Sequence, residues 1–123
     1  MIHTKNSIRP TVHIAGSQEN SSIEERFQNE ILRPIIKLQH QLIVAFFGNY
    51  LERKKMEFTL LSPFKKKELI ANAFQKDNQF KMELRGMIVG HFTLEEYRAY
   101  ERMAPSLNKR IMSMLQERIS STI

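Results

Sequence analysis

The longest apolar pattern in the chain runs from residue 22 to residue 55. Placed on a helix at about 100° per residue, Phe27, Ile31, Ile35, Leu38, Leu42 and Phe46 form one stripe. Leu32, Ile36, Ile43, Phe47 and Tyr50 form a second, adjacent stripe, which Val44 and Leu51 extend. Glu30, Arg33, Lys37 and Gln41 keep only a narrow polar face. A helix apolar over most of its circumference is covered on several sides, so the pattern predicts a central helix. Ser22 with Glu25 reads as a capping box at its start, and Pro34 predicts a kink.

Shorter helical patterns follow. Ser62 and Pro63 make a preferred start, with Leu69, Ile70, Ala73 and Phe74 on the buried face. Asp77 reads as the cap of a third helix carrying Phe80, Leu84, Met87 and Ile88, ended by Gly90. Thr93 and Glu96 form a second capping box, opening a short helix with Tyr97 and Tyr100 inward. Pro105-Ser106 reads as a break before a last helix with Leu107, Ile111, Met114 and Leu115 on one face. No segment alternates as a strand does. The expected fold is all-α, a bundle of about five helices around one long N-terminal helix kinked near Pro34.

Residues 1–21 lack periodicity and read as a mobile arm, with a short extended piece at residues 11–15; residues 22–123 read as one helical domain. The length of 123 residues suits one domain. An apolar content of 41% with 26% charged residues is that of a globular chain. The absence of cysteine excludes disulfides, Cys-based zinc sites and a thiol nucleophile. No targeting segment is legible at the start. The longest apolar run, residues 42–47, falls far short of the about 20 residues a bilayer span needs. The expected location is the cytoplasm, with no membrane partner.

A helix of 34 residues would extend about 50 Å at 1.5 Å per residue, beyond the roughly 35 Å of a compact domain of this size. Its apolar end would then be covered by a second copy. The leading expectation is a non-catalytic interaction protein that self-associates as a homo-oligomer, a dimer being favoured. Phe27, Ile31, Ile35, Phe46, Phe47 and Tyr50 are the candidate contact residues; the pattern does not separate core face from interface.

The formal net charge of +6 is spread along the chain rather than gathered in a tail. Its densest part is the candidate anion site: Arg53, Lys54 and Lys55 end the first helix, and Lys65, Lys66 and Lys67 open the second. The second trio opposes its own helix dipole, which disfavours cations by a few tenths of a kcal/mol each, roughly. The alternative function is therefore a weak, sequence-tolerant nucleic-acid binder using residues 53–67. Glu52, Glu57 and Glu68 stand beside the lysines, no aromatic reads as exposed among them, and a merely solvated face fits the same residues.

Metal and nucleotide signatures are missing: no HExxH, no Glu-x-x-His pair, no GxGxxG and no P-loop. No cofactor is expected. His91 reads as packing at a helix end or as a pocket group with Arg85 and Tyr97; His40 falls at the polar margin of the long helix. Gly86 and Gly90 make a small-xxx-small pattern, which predicts close approach of another helix at Gly86 and a cap at Gly90.

Residues 27–34 (FQNEILRP) and 84–93 (LRGMIVGHFT) resemble a family of small all-helical bacterial proteins of unassigned function, over about residues 24–119. Some relatives carry the label glyoxalase, which implies a third reading, a small-ligand enzyme. Glyoxalases of the usual kind are βαβββ folds with His and Glu metal ligands on strands, and this chain offers neither the strands nor that spacing. The resemblance implies a helical fold and brings no catalytic residues with it.

Overall fold

The computed structural model describes residues 22–122, and the arm expected at 1–21 lies outside them. Every regular element among the described residues is helical. In order they are α1 (Ile23–Phe27), a π-helical turn (Gln28–Leu32), α2 (Arg33–Leu38) and α3 (His40–Arg53). A 3₁₀ turn (Phe58–Leu60), α4 (Pro63–Lys76), α5 (Asn78–Val89), α6 (Leu94–Arg102) and α7 (Ala104–Ser120) complete the bundle.

The starts form where local chemistry places them. The hydroxyl of Ser22 accepts from the Glu25 amide at 3.1 Å, and that of Ser62 from Lys65 at 3.2 Å. The Asp77 carboxylate accepts from Phe80 at 3.0 Å. At α6 the reciprocal box of Thr93 and Glu96 is complete. Each of these satisfies an amide that the first turn leaves without a helical partner. Pro105 does not break the chain; it sits in the first turn of α7, where a residue without an N–H costs the helix nothing.

The N-terminal run is helical almost throughout, but it is interrupted twice. Just before Pro34 the helix widens by one residue: the Arg33 amide donates to the Gln28 carbonyl, five residues back. Widening gives the proline ring room against the preceding turn. The second interruption, at Gln39 (φ −89°, ψ 9°), has no proline or glycine to announce it. There the Gln39 side chain donates to the Met87 carbonyl of α5 at 3.4 Å. The expected 50 Å rod is thus two shorter pieces of about 24 and 21 Å at 1.5 Å per residue. Phe27 near one end and Tyr50 near the other are both buried within the single chain.

The core answers which stripe faces inward. Leu32, Ile36, Ile43, Phe47 and Tyr50, the second stripe, are all buried against the chain's own later helices. The first stripe splits: Phe27 and Ile35 are buried, Ile31 and Phe46 are half-buried against the same core, and Leu42 is 52% exposed. Centrality is shared with α7, whose Leu107, Ile111, Leu115 and Ile119 are completely buried. It packs on α3, α4, α5, α6 and the π turn. Its outer side is fastened to the N-terminal run by Ser106 donating to Glu24 at 2.9 Å and Arg110 donating to Gln28 at 3.0 Å.

Two expectations about small and aromatic residues are corrected. A Cβ added at Gly86 would meet nothing within 4 Å, so no helix crosses there. At Gly90, the C-cap of α5, it would meet the Gly86 carbonyl at 3.0 Å, so that position is tight. Tyr100 points inward, but Tyr97 is 40% exposed. Gly86→Ala is therefore expected to stabilise the protein by about 1 kcal/mol and raise Tm by about 5 °C, because alanine lowers the entropy of the unfolded chain without a clash. A thermal melt checks this; a lower Tm would show hidden crowding at that position.

Candidate functional site

Tyr50, Arg53, Lys54 and Lys55 lie at the end of α3, where the chain reverses into the 3₁₀ turn. The reversal is a Schellman closure: the Met56 amide donates to the Leu51 carbonyl and the Lys55 amide to Glu52, both at 3.0 Å. Lys55 holds φ 55°, a left-handed conformation usually given to glycine. A side chain there costs about 1 kcal/mol, so a lysine is kept at the turn against its backbone preference.

Next to the turn, three groups converge. The Tyr50 hydroxyl donates to Asp77 at 3.1 Å, and the Lys54 ammonium stands 3.8 Å from the same oxygen. The ammonium also lies 5.8 Å from the centre of the Tyr50 ring. The Phe80 amide, donating to the carboxylate, is the chief reason Asp77 is held below the usual carboxylate range; the Tyr50 hydroxyl, Lys54 and Arg53 add to it, and partial burial opposes. Tyr50 moves the other way, raised first by burial and then by its bond to Asp77. These contacts fasten α3 to the start of α5.

The six basic residues have different surroundings. Lys54 and Lys65 line a common groove of about 680 Å³ together with Lys76, over a floor that includes Met56, Leu61, Leu69 and Ala73. Glu68 and Asp77 also border this groove. Arg53 belongs to a smaller cleft beyond Lys54, beside Gln79 and Glu83. Lys66 is half-buried with its ammonium 5.3 Å from the centre of the Phe58 ring, which packs edge-on against Phe47. Lys55 and Lys67 are exposed to solvent. Among the described residues, only Lys54 of the six makes an ion pair. Neither Glu52 nor Glu57 neutralises them by direct contact.

The sequence reading missed the apolar partners of these lysines. Phe64 is 73% exposed and Leu60 76%, with Met56 at 42%. Phe64 lies in the first turn of α4, directly before Lys65. A wheel drawn on α4 alone holds the signal: Phe64 is about 120° from Ile70, off the face that Ile70, Ala73 and Phe74 bury.

The structure places the candidate self-association set in and around the core. Phe27, Ile35, Phe47 and Tyr50 are core residues of one chain, and Ile31 and Phe46 pack against that core. Later helices of the same chain cover the second stripe and part of the first, leaving Leu42 exposed.

The residues of the other candidate pocket lie in different settings. Arg85 faces a groove between α4, α5 and α7, His91 lies in the turn after α5, and Tyr97 stacks obliquely on Tyr100 at 5.8 Å between centres. His40 is half-buried, its Nδ1 3.2 Å from the Arg118 guanidinium, which can only donate. Among the described residues no three His, Cys, Asp or Glu side chains are grouped to hold a metal ion, and no helix is long and apolar enough to cross a membrane. No family model, curated protein or solved structure matches the chain.

Proposed function

We propose that this chain is a non-catalytic helical interaction protein that binds single-stranded nucleic acid, weakly and without sequence preference, at the α3–α4 corner. One observation carries the reading: Phe64 and Leu60 are exposed beside Lys65, Lys66 and Lys67, which have no carboxylate partner among the described residues. Cations that track phosphates and an aromatic face that stacks on a base are the two components such binding needs. The left-handed Lys55 adds to it, because a charge kept at a strained position is not explained by the turn itself.

Binding of a fluorescent oligonucleotide should weaken as salt rises, by counterion release. Changing Lys65, Lys66 and Lys67 together to Glu should reduce affinity by about tenfold or more at low salt, and Phe64→Ala should reduce it without changing the salt slope. Unchanged affinity in the triple variant would remove the corner from the reading. Binding to anionic lipid vesicles in place of oligonucleotides would reassign the same surface to a membrane.

Self-association is the second reading, and it moves to a different surface. Leu42 and Val44 on α3 are 52% and 37% exposed, and they belong to the apolar pattern that motivated a dimer. Light scattering decides: a monomer at micromolar concentration ends it.

A further inference from the structure

The groove between α4, α5 and α7 has a different character from the one at the corner. Its volume is about 690 Å³, within the usual range for a small-molecule site. Lys81 and Arg85, one turn apart on α5, line it together with Lys109 of α7. No carboxylate borders it, and none of these three cations has an ion-pair or hydrogen-bond partner among the described residues. In a smaller cleft elsewhere the three arginines are already engaged, Arg33 donating to Asn29, Arg110 to Gln28 and Arg118 to His40, and the carboxylate of Glu117 also borders it. An anion entering the α4–α5–α7 groove therefore displaces no ion pair among the described residues.

The rest of the lining is neutral. Met82, 62% exposed, and the half-buried Met112 give it a soft apolar wall. Thioethers make favourable contacts with flat aromatic rings. The side-chain amides of Gln75, Asn78, Asn108 and Gln116 supply both donors and acceptors. Asn108 has its oxygen taken by the Tyr100 hydroxyl, which leaves its NH₂ to donate. Three cations, a thioether wall and neutral amides match three parts of one ligand class: phosphate, flat ring and ring edge.

We infer that this groove holds a phosphorylated nucleoside, with Lys81, Arg85 and Lys109 on the phosphates and the base against Met82 and Met112. The nucleoside comes either free or as one unit of a single strand. Asn78 borders both this groove and the one at the corner, so a strand held at the corner can continue into it. The inference rests on the groove's own residues, and it stands whether or not the corner binds nucleic acid.

Calorimetric titration of the full chain at low salt tests it, with adenosine triphosphate, inorganic tripolyphosphate and a short single-stranded oligonucleotide as probes. Adenosine triphosphate should bind more tightly than tripolyphosphate. The variant Lys81→Gln/Arg85→Gln/Lys109→Gln should weaken it by about tenfold or more, since three charge-assisted contacts are lost. The corner variant with Lys65, Lys66 and Lys67 changed to Glu should leave free-nucleotide binding unaltered, which separates the two sites. If the groove variant weakens only the oligonucleotide, the strand is the source of the nucleoside. Met82→Glu, at an exposed position, places a negative charge in the groove without disturbing the core and should act in the same direction. The inference is overturned if the groove variants bind both nucleotide and strand as the native chain does, or if tripolyphosphate binds as tightly as adenosine triphosphate.

Discussion

Phe80→Ala is expected to destabilise the protein by about 3–5 kcal/mol, the usual cost of removing a buried ring. Phe80 is 2% exposed and holds together four other aromatic residues. Its ring centre lies 4.4 Å from Tyr50 and 5.2 Å from Phe74. Phe46 stacks on it at 5.7 Å and Phe47 lies at 6.4 Å. These partners come from α3 and α4, so truncation opens a cavity where three helices meet. Small domains have only about 5–15 kcal/mol in total, and the variant should therefore lose roughly a fifth or more of its stability. Urea denaturation measures it. Phe80→Leu should cost clearly less, because most of the volume is kept; equal losses would mean that edge and face contacts, not the cavity, dominate. A loss under about 1 kcal/mol for the alanine variant would refute the placement of Phe80 at the centre of the cluster.

Asp77→Ala is the second large effect, expected at about 2–3 kcal/mol. The change removes the cap of α5 and takes the acceptor from the Tyr50 hydroxyl, whose residue is only 7% exposed. It also ends the contact with Lys54. Asp77→Asn should be milder, since an amide oxygen can still accept at the cap while the charge is lost.

The pair also differ in their response to acid. The folded protein holds the Asp77 carboxyl below its ordinary value, so the unfolded chain takes up the proton first. The stabilisation is complete above about pH 4, the ordinary aspartate range, and is lost as pH falls through the folded value. The native chain should lose stability in this window more steeply than Asp77→Asn. Parallel curves would show that the contacts of Asp77 do not depend on its charge. At the alkaline end the sign reverses for Tyr50: its folded value is raised, so its contribution is present below the ordinary tyrosine range and lost as pH climbs through the folded value.

What could be read from the chain was local. Ser22, Ser62, Asp77 and Thr93 act within four residues, and their caps formed where the spacing placed them. The faces of α4, α5 and α7 were legible for the same reason, since a helix repeats its own geometry. Gln39 was not: its break coincides with a bond to Met87, 48 residues away. Phe64 was partly legible, from a wheel on α4 alone. The groove of Lys81, Arg85 and Lys109 was hidden because Lys109 comes from α7, far along the chain.

By itself, then, the sequence determined an all-helical bundle, its capped starts and the second stripe, because capping and periodicity depend on near neighbours. Only the tertiary structure decided that Phe27, Ile35, Phe47 and Tyr50 belong inside one chain. It also decided that Phe64 and Leu60 stay outside among the lysines, and that Lys81 and Arg85 meet Lys109 across a groove. Burial and convergence depend on how separate helices pack, and a helix wheel holds no record of which neighbour covers which face.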